Sequence, residues 1–244
     1  MTQAQQKTLG VIGGLGPIAT SHFMELVIRM TDAQRDQQHL DMVIYHTPSI
    51  PDRSSFILDP TLPSPLEPMI DLGRRLSEQG VGCIAIPCVT AHYFHESLSQ
   101  AISVPIIHAP QETAIHLQNA GIRTVGIMAT DGTVSSGIFQ KELEKRGITR
   151  VIPSKERQKD VMHLIFECIK ANRPADMARF RQVAEELREN GAEVIILGCT
   201  ELSLIKRDHY IGAGFLDALE VLAQQAVVRC GAPLKKNYDC LITK

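Results

Sequence analysis

The residues best suited to chemistry are two cysteines, each closing a short apolar run. Cys88 follows Gly82-Cys83-Ile84-Ala85-Ile86-Pro87 and precedes Val89-Thr90-Ala91-His92; Cys199 follows Glu193-Val194-Ile195-Ile196-Leu197-Gly198 and precedes Thr200-Glu201-Leu202. Two thiols on opposite sides of one carbon can invert it, one sulfur removing a proton from one face and the other returning a proton to the opposite face. A free thiol ionises near pH 8.5, so modest tuning by a helix N-terminus supplies a thiolate near neutrality. The plainer alternative is two small apolar side chains packed at strand ends. Spacing alone leaves both open.

The elements around them must form a particular frame. Continuous β-branched runs of this length read as strands buried on both faces of a parallel sheet, and open α/β sheets keep their sites at strand-to-helix corners. In chain order the pattern predicts a strand at Leu9–Ile12, a turn at Gly13-Gly14-Leu15-Gly16, a helix from Pro17 to about Met30 and a strand at Met42–Tyr45. A long loop follows from Pro48 to Pro63, then a helix from Pro65 to Gln79 capped by Ser64, the Cys88 strand and a helix from about His92 to Ala101. Val104–Ile107 reads as a fourth strand and Pro110 opens a helix ending at Asn119-Ala120-Gly121. The pattern then restarts: strand Thr124–Met128, a helix from Thr133 to about Arg146, a short strand at Val151-Ile152, helices near 156–171 and 174–190, and the Cys199 strand. A loop around Lys206 to Gly214 leads to a last helix, Asp217–Arg229.

The spacing from Gly10 to Cys88 is 78 residues and from Gly126 to Cys199 is 73, with strand, glycine turn, helix and strand-Cys in the same order. This weak repeat predicts an α/β protein of two pseudo-symmetric lobes, each a short parallel sheet flanked by helices, with the active site in the cleft between them. Residues 1–109 form the first lobe with Cys88, residues 110–211 the second with Cys199, and residues 212–244 a C-terminal segment.

Composition narrows the class. The chain has 244 residues, a net charge of −2, 5% aromatic residues and no Trp, which offers nothing to nucleic acid or an anionic membrane. Met1–Lys7 has no apolar core of a signal peptide and no apolar run is long enough to span a bilayer, so the expected location is cytoplasmic. Six cysteines in such a chain read as free thiols. Cys83, Cys168 and Cys230 lie inside elements as small buried residues, and Cys240 lies in the tail.

Other motifs weigh less. Gly14, Gly16 and Ala19 partly match a dinucleotide fingerprint, but Tyr45-His46-Thr47 stands where a ribose-binding acid belongs, and Pro17 removes a donor. The better reading is a tight turn lining a cleft and offering N–H groups, Gly14 among them, to a carboxylate. Cys88, His92 and His95 do not make a zinc site, because the cysteine precedes the helix that carries the histidines. His92 is instead a neighbour of the thiol and His95 a surface residue. Arg53 can clamp a carboxylate or simply be a solvated loop residue. Lys170 ends a helix, and Thr90, Thr133 and Thr200 sit at turns where hydroxyls cap helices.

Together these stretches resemble the aspartate/glutamate racemase family, which uses no pyridoxal phosphate. The matching pieces are Gly-Val-Ile-Gly-Gly-Leu-Gly-Pro-Ile-Ala-Thr at 10–20, Ile-Pro-Asp-Arg-Ser at 50–54, Ile-Pro-Cys-Val-Thr-Ala-His at 86–92, Ala-Thr-Asp-Gly-Thr at 129–133, Gln-Lys-Asp-Val-Met at 158–162, Ile-Lys at 169–170 and Leu-Gly-Cys-Thr-Glu-Leu at 197–202. The resemblance implies a cofactor-independent, usually homodimeric enzyme of four-stranded lobes, with Cys88 and Cys199 as the acid/base pair. It further implies that Arg53 and Lys170 hold the distal carboxylate of an acidic amino acid, that Thr90, Thr133 and Thr200 bind its α-carboxylate and amino group, and that the C-terminal helix returns to the first lobe. One position departs from the family: Val89 replaces the usual Asn after the first cysteine. Valine neither donates nor accepts, and one lost polar contact costs about 1–3 kcal/mol. Alternatives on the same fold are an isomerase or decarboxylase of small dicarboxylates, which Val89 favours, and a non-catalytic binder of acidic ligands.

Overall fold

The computed structural model describes residues 6–244; of the polar stretch Met1–Lys7 read above for targeting, only Gln6 and Lys7 fall among them. The first half contains β1 (Leu9–Gly13), α1 (Pro17–Met30), β2 (Met42–His46), α2 (Arg53–Leu58), α3 (Leu66–Glu78), β3 (Cys83–Ala85), a 3₁₀ turn (Val89–Phe94), α4 (His95–Ala101) and α5 (Ala109–Asn119). The second contains β4 (Thr124–Met128), α6 (Asp131–Ser136), α7 (Ile138–Glu144), β5 (Thr149–Val151), α8 (Lys155–Met162), a π-helical segment (His163–Ile169), α9 (Met177–Glu189), β6 (Val194–Leu197), α10 (Thr200–Asp208), β7 (Phe215–Asp217) and α11 (Ala218–Arg229). No helix among the described residues is long and apolar enough to cross a membrane.

Both sheets are parallel, in the orders β2-β1-β3 and β5-β4-β6-β7. The expected two-lobe α/β architecture is therefore present, with one difference. Val104–Ile107 is not a full strand: it makes a single parallel bridge from Ile106 to Ile84, in the place that β7 fills in the other sheet. Ile84 N–H donates to Pro105 O and Ile107 N–H to Ile84 O, both at 2.9 Å, but Pro105 has no N–H with which to extend the ladder.

Period-two alternation divides the core. Leu9 and Val11 of β1, Val125 and Ile127 of β4, and Val194 and Ile196 of β6 enter one continuous apolar core with α1, α5 and α11. Ile12 and Ile84 face a second core built with α3, and Ile195 and Leu197 a third with α9. Each buried Leu or Ile contributes about 1.5–3 kcal/mol, so the shared core is what holds the lobes in one register. The C-terminal helix belongs to this core: Leu219, Leu222 and Val227 are buried in it, and Lys7 N–H donates to Cys230 O at 2.9 Å. Cys83 and Cys230 are buried there with their sulfurs 3.2 Å apart, Cys168 is buried, and Cys240 is exposed.

Several boundaries differ from expectation for local reasons. The Pro48–Pro63 stretch contains α2, because Asp52 accepts from Ser55 N–H at 2.8 Å and caps a helical turn. The helix expected from Thr133 to Arg146 is cut by Gly137, which takes a left-handed φ of 66°. The 156–171 helix shifts to π geometry after Met162, with Lys170 N–H reaching back to Ile165 O. The expected Lys206–Gly214 loop starts later, since α10 runs to Asp208.

The lobes meet most closely where α2 crosses α6. A Cβ on Gly132 would lie 2.7 Å from the Ser54 Cα, so only glycine permits that approach. Gly132→Ala should therefore lower stability by about 1–3 kcal/mol, read as a lower urea midpoint at unchanged slope.

Candidate active site

Each cysteine ends its strand in extended backbone and serves as the N-cap of the following helical segment. Cys88 (φ −156°, ψ 104°) precedes the 3₁₀ turn, and Cys199 (φ −141°, ψ 135°) precedes α10. The two are 6% and 5% exposed and line the same small space, about 10 Å³, with Leu15, Arg53, Val89, Thr90, Thr130, Lys170, Thr200 and Glu201. That space shares Asp52, Arg53, Lys170 and Glu201 with a cavity of about 690 Å³, walled also by Gly14, Gly16, Pro17, Ile50 and Leu204. A larger groove, about 890 Å³ beside Ile152, Met162 and Phe166, holds neither cysteine. The thiols, not the size, identify the site.

Arg53 is not a solvated loop residue. It opens α2 and is 7% exposed. Nη1 donates to Ile50 O at 3.2 Å and Pro51 O at 3.0 Å, and Nη2 donates to Leu15 O at 3.1 Å. A guanidinium has five N–H donors, so two remain, and the buried Nε–H has no partner among the described residues. Burial works against the Arg53 charge, but Cys88, Asp52 and Glu201 around it hold the guanidinium above its ordinary value.

Lys170 lies on the opposite wall, just past the π segment. Its Nζ is 3.5 Å from Asp52 Oδ2 across the cleft and 4.3 Å from the Phe166 ring centroid. Burial opposes its charge, while Glu201, Cys199 and Asp52 favour it and raise it overall. The carboxylate of Asp52 is held below its ordinary value: burial is opposed by the Ser55 N–H bond and by Lys170 and Arg53.

Four hydroxyls join the lobes behind the thiols. Ser54 donates to Thr130 at 3.0 Å, and Thr90 lies 3.1 Å from Thr130 and 2.9 Å from Thr133. Thr130 lines the small space, whereas Thr133 stands behind it and holds Thr90 and Thr130 in place. Thr130 was not singled out from the sequence, although its position as N-cap of α6 was legible in Thr130-Asp131-Gly132-Thr133. Thr200 Oγ1 donates to Glu201 Oε2 at 3.2 Å.

Three expectations need correction. Gly14 lines the larger cavity, but its N–H donates to Thr20 Oγ1 at 2.9 Å and is not free for a carboxylate. Its φ of 90° lets it pass the Thr47 backbone, which a Cβ would meet at 2.4 Å. His92 does not address the thiol: its Nε2 lies 3.3 Å from Ile86 O, and its ring packs 5.5 Å from that of His108. His95 is half-buried, with Nε2 3.2 Å from Ile106 O and its ring 4.2 Å from His108. No cluster of metal ligands exists among the described residues.

Glu201 is the residue that sequence reasoning passed over. It is 5% exposed, and Oε2 accepts from the Cys199 thiol at 2.9 Å. Burial first, then the Glu201 carboxylate, push the Cys199 thiol well above the ordinary thiol range, with Lys170 acting the other way.

Known proteins resemble this chain. The family model described as Asp/Glu/Hydantoin racemase matches residues 12–226. The chain belongs to that family. As a family member it is an isomerase of the amino-acid racemase type. An aspartate racemase from Picrophilus torridus is similar at 31% identity and a TM-score of 0.81, covering 96% of this chain and 99% of that one. The broad specificity amino-acid racemase RacX of Bacillus subtilis (strain 168) is 29% identical over 225 residues, 90% of this chain and 96% of RacX. A glutamate racemase from Francisella tularensis subsp. tularensis SCHU S4, solved with D-glutamate, shares the fold at a TM-score of 0.66 and 15% identity, covering 92% and 81% of the two chains.

The cluster of His92, His95 and His108 gives a pH dependence. Burial, then His95, lowers His108 to about 4, and burial with His108 and His95 lowers His92 well below its ordinary value. The unfolded chain takes up these protons near pH 6.5, whereas the folded state refuses them until lower pH. Stability is thus unaffected by them above about pH 7 and falls as pH drops through 6.5 towards about 4. In His108→Gln the loss of urea midpoint between those limits should be smaller than in the wild type.

Proposed function

We propose that the protein racemises aspartate, or a related acidic amino acid such as glutamate, by a cofactor-independent two-base mechanism. Cys88 and Cys199 are the two bases: one thiolate removes the α-proton and the other thiol delivers a proton to the opposite face, leaving the carbon inverted. The observation that carries this reading is the pair of thiols on matching N-caps around one enclosed space. Arg53, with its two remaining N–H donors, and Lys170 bind the distal carboxylate, while Thr90 and Thr200 serve the α-carboxylate and amino group and Thr133, set back from the space, holds Thr90 and Thr130 in place. Removing an α-proton leaves charge on the α-carboxylate, and hydroxyls in a dry cleft stabilise it without reorganising.

The space between the sulfurs holds about one water-sized sphere. Substrate therefore enters from the larger cavity and separates the walls across the Asp52–Lys170 pair. Its α-carbon then sits between the thiols with its side chain towards Arg53. The reading includes a homodimer working in the cytoplasm.

Val89 is 3% exposed, lines the small space and offers no hydrogen bond to an amino group. With the 690 Å³ cavity beside it, this supports a range wider than aspartate, as the name of the RacX relative also suggests.

Either aspartate enantiomer incubated in D₂O should acquire α-deuterium and drift to the racemate. Cys88→Ala and Cys199→Ala should each lose at least about a hundredfold in racemisation rate. A panel with glutamate, a neutral amino acid and maleate sets the range; turnover of maleate without exchange on any amino acid would replace racemisation by dicarboxylate isomerisation.

A further inference from the structure

We propose that the two thiols are unequal in the resting enzyme: Glu201 is a positioning residue that keeps Cys199 protonated, so Cys88 is the sulfur that begins as the base. This rests on the two-thiol reading above and says which sulfur begins as the base.

The geometry of Glu201 is one of confinement. Its Oε2 accepts from Cys199 at 2.9 Å and from Thr200 at 3.2 Å. Its Oε1 faces the first-lobe turn, where a Cβ on Gly16 would lie only 2.7 Å away. The carboxylate therefore lies between the Cys199 corner and Gly16, where the absence of a Cβ leaves room for it on the sulfur. A thiol donates to a carboxylate, but a thiolate beside the same oxygen meets a like charge in a space with little water to screen it.

Cys199 caps α10, and a helix N-terminus ordinarily favours a thiolate. That partial charge is outweighed by a full negative charge in hydrogen-bond contact. Lys170 is the cation that works for ionisation at Cys199, while burial and Glu201 work against it. Across the same space, Cys88 is the leading group that favours the Arg53 charge, with Asp52 and Glu201 behind it. Two similar corners are thus given opposite partners, a carboxylate for one sulfur and a guanidinium for the other.

The proton account closes. Starting from Cys88 thiolate and Cys199 thiol, Cys88 takes the α-proton and Cys199 gives up its own, so the pair ends as Cys88 thiol and Cys199 thiolate. Glu201 then opposes the new Cys199 thiolate and favours its reprotonation by water, and the hydroxide so formed takes the proton that Cys88 acquired, so solvent carries one proton from Cys88 to Cys199. The cycle resets without a further acid or base.

Site-resolved alkylation by iodoacetamide, followed by peptide mass spectrometry across pH, tests this. The pH profile of each cysteine reports its own ionisation whatever its access. In the wild type Cys88 should reach its plateau rate at lower pH than Cys199, which should still be accelerating in the alkaline range. Glu201→Gln should raise the Cys199 thiolate fraction at about pH 8 roughly tenfold or more. Gly16→Ala should move the Cys199 profile the same way by displacing the carboxylate, and Gly16 has a φ of −116° that alanine adopts without strain. This second variant keeps every charged group, so it decides the matter should Glu201→Gln fail to fold. Coincident wild-type profiles, Cys199 reacting first, or folded variants that leave Cys199 unmoved would overturn the proposal. Unequal profiles without α-proton exchange would remove racemisation and keep the charge assignment; exchange with coincident profiles would do the reverse.

Discussion

A buried guanidinium needs fixed acceptors for most of its donors, and Arg53 is the case on which the cleft depends. Stripping water from such a cation is affordable only where fixed acceptors replace it. Here the carbonyls of Leu15, Ile50 and Pro51 do so. These bonds tie the glycine turn after β1 to the chain after β2, and so shape one wall of the site. Two donors remain, the buried Nε–H among them. A residue that looks like a ligand for substrate is first a structural bolt, and replacing it would disturb the wall as well as the chemistry.

The opposing wall answers with a different construction. Its cation, Lys170, hangs from a helix that has slipped into π geometry, and it reaches back to Asp52 on the first lobe. Between the cations, hydroxyls from Ser54, Thr90, Thr130 and Thr133 cross the interface as a buried network in which each oxygen has a partner. Such a network is worth keeping only when complete, which is why the α2–α6 approach requires glycine at 132. Two halves of one pattern thus come together with unlike neighbours. The backbone repeats; the charges do not.

Much of this was legible beforehand. The apolar runs at Leu9, Val125 and Val194 declared parallel strands because buried strands have no polar face to show, and Pro17 marked a helix start because its missing donor costs nothing there. The two-lobe α/β fold and the family both followed from motifs spread along the chain. The failures share a cause. The Asp52 cap inside a Ser- and Pro-rich stretch, the break at Gly137 and the π segment after Met162 each hang on one local bond or one φ angle that composition cannot register. Val104–Ile107 looked like a strand by residue type, but one proline without an N–H reduced it to a single bridge.

By itself, then, the sequence determined the frame: which segments are strands, where each ends, and that Cys88 and Cys199 occupy equivalent corners. Period, capping and proline placement are local, and local rules can be read along a chain. Only the tertiary structure decided what each corner faces. That Glu201 turns its carboxylate onto the adjacent Cys199 while its other oxygen meets Gly16, 185 positions earlier, depends on two lobes docking through a shared core. That Gly14 gives its N–H to Thr20 and not to the cleft depends on how the turn closes over α1. Electrostatics at a thiol is set by whatever lies within a few ångströms, and in a folded chain those neighbours come from anywhere in the sequence.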